Sequence, residues 1–64
     1  MYELRVFHPG EARAREVVRL DKASDVLVKI PAILSEHAEC ERVEVYASGL
    51  RLFAVDCTGQ QLPN

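Results

Sequence analysis

The chain has 64 residues and a formal net charge of −2, too short for more than one domain and too neutral for bulk charge to draw it to nucleic acid or membrane. Its 48% hydrophobic and 28% charged content is that of a folded domain rather than a disordered tail. A chain this short buries only about 60% of the surface its unfolded form exposes, so a working surface is expected on a face, an edge or a subunit contact.

From Met1 the chain enters a patterned segment at once. A basic start followed by an apolar run is not seen, and no secretory leader is expected. No apolar run approaches the roughly 20 residues that span a bilayer. Tyr2, Leu4 and Val6 alternate with Glu3, Arg5 and Phe7, the period of a half-buried strand. His8-Pro9-Gly10 ends it in a turn, with glycine placed for positive φ. A second strand is expected within 13–20, with Val18 and Leu20 inward and Arg15, Val17 and Arg19 outward.

Between Asp21 and Glu39 the period changes to three or four. Ala23, Val26, Ile30, Ile33 and Leu34, then His37 or Ala38, make one apolar helical stripe. Asp21 is placed to cap the helix, and Asp25 to oppose its positive end. Pro31 removes a backbone donor and crowds the preceding turn. It either kinks one helix or divides two; the stripe keeps its phase across it, which favours one kinked helix. A rival reading makes residues 26–30 a short strand.

Two apolar segments, 42–47 and 50–57, flank Ser48-Gly49, a two-residue hairpin turn. Taken as written, the turn pairs Ala47 with Leu50, Val45 with Leu52 and Val43 with Ala54 on one side. Tyr46 with Arg51, Glu44 with Phe53 and Arg42 with Val55 then share the other. The expected fold is α+β, a mainly antiparallel four-stranded ββαββ sheet over residues 1–58 with one kinked helix packed on one face. Residues 59–64 are expected as a flexible tail. The closing Arg-Val-Glu-Val-Tyr and Leu-Arg-Leu-Phe-Ala-Val, behind a leading hairpin and an acidic helix, resemble short bacterial open reading frames of unknown function. That resemblance implies the fold and transfers no active site.

The pattern sends all six arginines to the side of the sheet away from the helix. The expected interaction face comprises Arg5, Phe7, Arg15, Val17, Arg19, Arg42, Tyr46, Arg51, Phe53 and Val55, with Arg13, Glu3 and Glu44 alongside. Arginine stems cover apolar atoms on the wet side of many sheets, and Tyr46 opposite Arg51 makes an ordinary cation–π pair. Five apolar side chains together, however, form a patch that monomers seldom leave bare. A second copy of the chain or another protein is the favoured occupant. Aromatics interleaved with arginine also describe a platform for an anion or single-stranded nucleic acid, the alternative reading.

Cys40 and Cys57 are expected as reduced thiols in a cytoplasmic protein. The topology brings His8, His37, Cys40 and Cys57 to one end of the domain, a donor set that suits tetrahedral zinc. The paired spacing of zinc fingers is missing, so no metal or other cofactor is expected. A Cys40–Cys57 disulfide requires Cα atoms within about 7 Å. The sequence holds no glycine-rich phosphate loop and no nucleophile elbow, and Glu39 and Glu41 beside Cys40 oppose a thiolate. A non-enzymatic interaction module is the expectation.

Overall fold

The structure is a computed structural model describing residues 1–63. Its elements are β1 (Tyr2–Phe7), β2 (Glu16–Leu20), α1 (Ala23–Glu36), β3 (Arg42–Ala47) and β4 (Leu50–Asp56). The strands lie in the order β2-β1-β3-β4, and every neighbouring pair is antiparallel. The fold is therefore the expected α+β arrangement in ββαββ order. β2 and β3 flank β1 and run parallel to each other, and α1 makes the crossover between them, packing on β1 and β2.

The alternation of β1 sends Leu4 and Val6 into the core, where Val43 and Val45 of β3 join them. From α1 come Val26 and Ile33, with Ile30 and Leu34 partly buried, so the three-to-four spacing of the stripe holds. The helix runs unbroken through Pro31, and the rival strand over 26–30 is not formed. Pro31 leaves the Leu27 carbonyl without its N–H partner. Leu27 is largely exposed, so water can satisfy that group. The helix is shorter than 21–39. Lys22, with no side-chain cap, holds the N-cap position assigned to Asp21, and His37 closes the far end through His37 N–H to Ile33 C=O. Asp25 does lie in the first turn.

The second strand begins at Glu16, which leaves Arg13 and Arg15 in the connection rather than on the sheet. Arg15 instead pairs with Glu11. The closing hairpin turns at Ser48 and Gly49, both at positive φ, as the turn chemistry requires. Ala47↔Leu50 and Tyr46↔Arg51 pair as expected. A β-bulge beyond Tyr46 then shifts the register by one, giving Val45↔Phe53, Glu44↔Ala54, Val43↔Val55 and Arg42↔Asp56. The extra residue is Leu52. It moves Phe53 and Val55 to the helix side, where both pack with the core, and Ala54 to the opposite side.

Beyond β4, Asp56 organises a turn. Its carboxylate accepts from the Thr58 hydroxyl, the Thr58 N–H and the Gln60 N–H. The chain then runs back along β4, with Leu62 N–H donating to Ala54 C=O and Val55 bridged to Gln61. Within residues 59–64, expected as a flexible tail, Gln60, Gln61 and Leu62 are thus paired with β4; Asn64 lies outside the described residues. Cys40 and Cys57, expected as free thiols, are joined in a disulfide with Cα atoms 5.8 Å apart. The crosslink ties the end of β4 to the loop that leads into β3.

Candidate interaction face

The side of the sheet away from α1 carries alternate residues of all four strands. Across β1, the register sets Glu3 beside Arg19 and Tyr46, Arg5 beside Val17 and Glu44, and Phe7 beside Arg42. Seven of the expected face residues therefore do share it: Arg5, Phe7, Val17, Arg19, Arg42, Tyr46 and Arg51. Arg15, Phe53 and Val55 do not, for the reasons given by the late start of β2 and by the bulge.

These groups close on one another. The Arg5 guanidinium lies 3.9 Å from the centre of the Tyr46 ring, and that of Arg42 lies 4.1 Å from the Phe7 ring. Tyr46 thus stacks with Arg5 from the neighbouring strand rather than with Arg51, its expected partner. Arg5 also donates to Glu3 at 2.5 Å, Arg19 approaches Glu3 at 3.4 Å, and Arg42 donates to Glu44 at 2.7 Å. The Tyr46 hydroxyl completes the chain by donating to Glu44 at 2.8 Å. Arg42 pairs with Glu41 as well.

The titration of these groups follows from their contacts. Burial pushes the Glu44 carboxyl up, but the hydrogen bonds from Arg42 and Tyr46 outweigh it, and the group lies below its ordinary value. The hydrogen bond from Arg5 likewise holds Glu3 below the usual carboxylate range. The hydrogen bond that the Tyr46 hydroxyl donates to Glu44 raises the phenol above its usual value. Arg5, Arg19 and Arg42 are therefore paired with carboxylates, and Tyr46 and Phe7 each carry a guanidinium over one ring face. Stacking of nucleic-acid bases needs an open ring face, and here one face each of Phe7 and Tyr46 is taken by a guanidinium. A 170 Å³ depression at the Ser48–Gly49 end is lined by Met1, Glu3, Arg5 and Tyr46, whose charged groups are bonded to each other.

The exposed aliphatic side chains lie mainly on the other side and at the margins. Leu27, Val28, Leu50 and Leu52 are between 46% and 76% exposed, more than any core position tolerates. Two grooves flank the helix. One, of about 230 Å³, runs between α1 and the β3–β4 hairpin and is lined by Tyr2, Ala23, Val26, Leu27, Val45, Leu52 and Phe53. The other, of about 370 Å³, lies between α1 and β2 and is lined by Leu20, Asp25, Val28, Lys29 and Ala32. Sequence reasoning missed both, because each depends on α1 sitting over β1 and β2 alone.

His8 and His37 do come together, as the topology implied. His8 Nε2 lies 2.9 Å from His37 Nδ1, and His37 Nε2 lies 2.7 Å from a Glu16 carboxylate oxygen. If His37 Nε2–H donates to Glu16, its Nδ1 is the acceptor for His8 Nε2–H, which satisfies every nitrogen of the contact. The ring centroids are 5.1 Å apart, close to the longest separation that contact allows, so the nitrogens meet nearly head-on. Head-on nitrogens share a proton; a metal ion needs both lone pairs turned to a third point. Cys40 and Cys57, the thiols of the donor set that would suit zinc, are joined in the disulfide. Among the described residues no three His, Cys, Asp or Glu side chains converge as a metal site.

Comparison with protein-family models, with curated proteins and with solved structures found no match. Among the described residues no helix is long and apolar enough to cross a membrane.

Proposed function

We propose that this chain is a non-enzymatic protein-interaction module whose first partner is a second copy of itself. The observation that supports the reading is the placement of exposed aliphatic side chains. Leu27, Val28, Leu50 and Leu52 stand at the margins of the sheet and helix, while Arg5 and Arg42 of the arginine face are held by Glu3, Glu44 and the Tyr46 and Phe7 rings. Apolar surface left bare at margins drives association, and symmetric pairing of like chains is its commonest outcome. The partner surface is accordingly assigned to the margins rather than to the centre of the arginine face.

Sedimentation velocity at two protein concentrations, in low and high salt, tests this. A mass that rises with concentration and survives high salt supports apolar association, and a monomer throughout refutes it. In the nucleic-acid alternative, labelled single strands are retarded at low salt and released steeply as salt rises. The pairing of Arg5, Arg19 and Arg42 with carboxylates argues against retardation.

A cytoplasmic location would hold Cys40 and Cys57 reduced. The disulfide supports an oxidising compartment instead. Alkylation of freshly lysed cells reads the difference directly: two modified thiols place the chain in the reducing cytoplasm, and none places it outside.

A further inference from the structure

The two edges of the sheet differ. Along β4, the returning chain occupies the outer edge near Ala54–Asp56, through Leu62 N–H to Ala54 C=O and Asp56 N–H to Gln60 C=O. Along β2, no described residue pairs with the outer edge. Which backbone groups point outward there follows from β1. Ser48 N–H donates to Met1 C=O and Glu41 N–H to Phe7 C=O, so the odd-numbered residues of β1 bond towards β3. The even ones bond towards β2, and their partners there are Leu20, Val18 and Glu16. Val17 and Arg19 therefore turn their N–H and C=O groups away from the sheet.

We propose that β2 pairs antiparallel with β2 of a second copy, about a two-fold axis at Val18, making one continuous eight-stranded sheet. This rests on the self-association reading above and names its surface. In that register Val17 faces Arg19 of the second copy, and the two outward-turned residues of each strand exchange both backbone hydrogen bonds. Val18 faces Val18, and Glu16 faces Leu20. The flanking residues fall with Arg15 alongside Asp21 of the second copy, so opposite charges meet twice. Sliding by two residues one way sets Arg15 against Arg19, and the other way sets Arg19 against its own copy. Like charges directly opposite oppose pairing, so of these three registers the centred one alone is free of them.

The groove between α1 and β2 opens on this same edge. A two-fold axis perpendicular to the sheet sets both helices on one side of it, antiparallel to each other. Leu20, Val28 and Ala32 of the two copies then line one shared apolar seam, which accounts for Val28 being 76% exposed in the single chain. Asp25 and Lys29, also lining the groove, supply opposite charges across the axis.

The test is sedimentation equilibrium on the full chain, with circular dichroism as a fold control. Val17→Pro removes an outward N–H that β1 does not use, a position where an edge strand accepts proline. The expected result is a folded monomer. Asp21→Arg sets arginine beside Arg15 twice and is expected to weaken dimerisation by roughly tenfold or more. Adding Arg15→Asp restores the opposite pair and should restore the dimer. A folded Val17→Pro protein that still dimerises, or a charge swap that rescues nothing, overturns this edge while leaving self-association standing. A wild-type monomer at every concentration removes both.

Discussion

Glu44 carries more of the arginine face than any other single residue. It is 9% exposed, accepts from Arg42 and Tyr46, and stands opposite Arg5 across the β1–β3 ladder. Because its carboxyl is held below its ordinary value in the folded chain, its contribution is present above the unfolded carboxylate range, at neutral pH. That contribution is lost as the pH falls through the lowered folded value. Urea unfolding of the wild type should therefore weaken between pH 6 and pH 3. Glu44→Gln should start about 1–3 kcal/mol lower at pH 7, the usual cost of a charged hydrogen bond, and show a shallower acid dependence. A Gln variant with an unchanged pH profile would remove Glu44 from its central position. The residue types of this face, and seven of its members, are legible from alternation alone. Its closure is not, because which guanidinium covers which ring depends on strand order, and a sequence does not state strand order beyond its hairpins.

At the scale of elements, the bulge in β4 is the instructive case. Along that strand the apolar positions run Leu50, Leu52, then Phe53, Val55: the alternation changes phase between 52 and 53. A regular two-residue hairpin cannot keep both pairs on one side, so an inserted residue was the signal available in the sequence. A regular register instead sets Phe53 and Val55 as an apolar patch on the outer face. The helix shows the converse. Its stripe was readable through Pro31 because three-to-four periodicity survives a lost hydrogen bond, whereas its ends were not, since Lys22 offers no capping side chain. Pro31→Ala should restore the donor to the Leu27 carbonyl and raise stability by about 1–2 kcal/mol, less than the full interior-proline cost because proline also restrains the unfolded chain. Thermal unfolding checks this; a lower melting temperature would show that the ring is needed where it stands.

The disulfide joins elements that are also held by strand pairing and by the packing of Val43, Val45, Phe53 and Val55. It closes a loop of 17 residues around the β3–β4 hairpin. Restraining the unfolded chain over such a loop stabilises by about 3 kcal/mol. Thiol titration of the unfolded protein should find no free thiol before reduction and two after it. Reduction should lower the melting temperature, and Cys57→Ala should reproduce that loss. An unaffected melting temperature would show that the hairpin register needs no covalent support.

For the whole molecule, the small core and the internally paired face leave the margins as the surface with unmet chemistry. One margin, β4, is covered over Ala54–Asp56 by the residues that follow it, and the other, β2, has no described residue paired along it and is self-complementary in the centred register. That asymmetry favours a closed pair over an open filament, because a closed two-fold uses each β2 edge once. The most direct measurement is amide hydrogen exchange at single-residue resolution, taken at low and high protein concentration. Edge pairing predicts that the Val17 and Arg19 amides exchange fast when dilute and gain protection when concentrated, while Val18, already bonded to β1, changes little. Val17 and Arg19 amides that exchange equally fast at both concentrations would contradict the account.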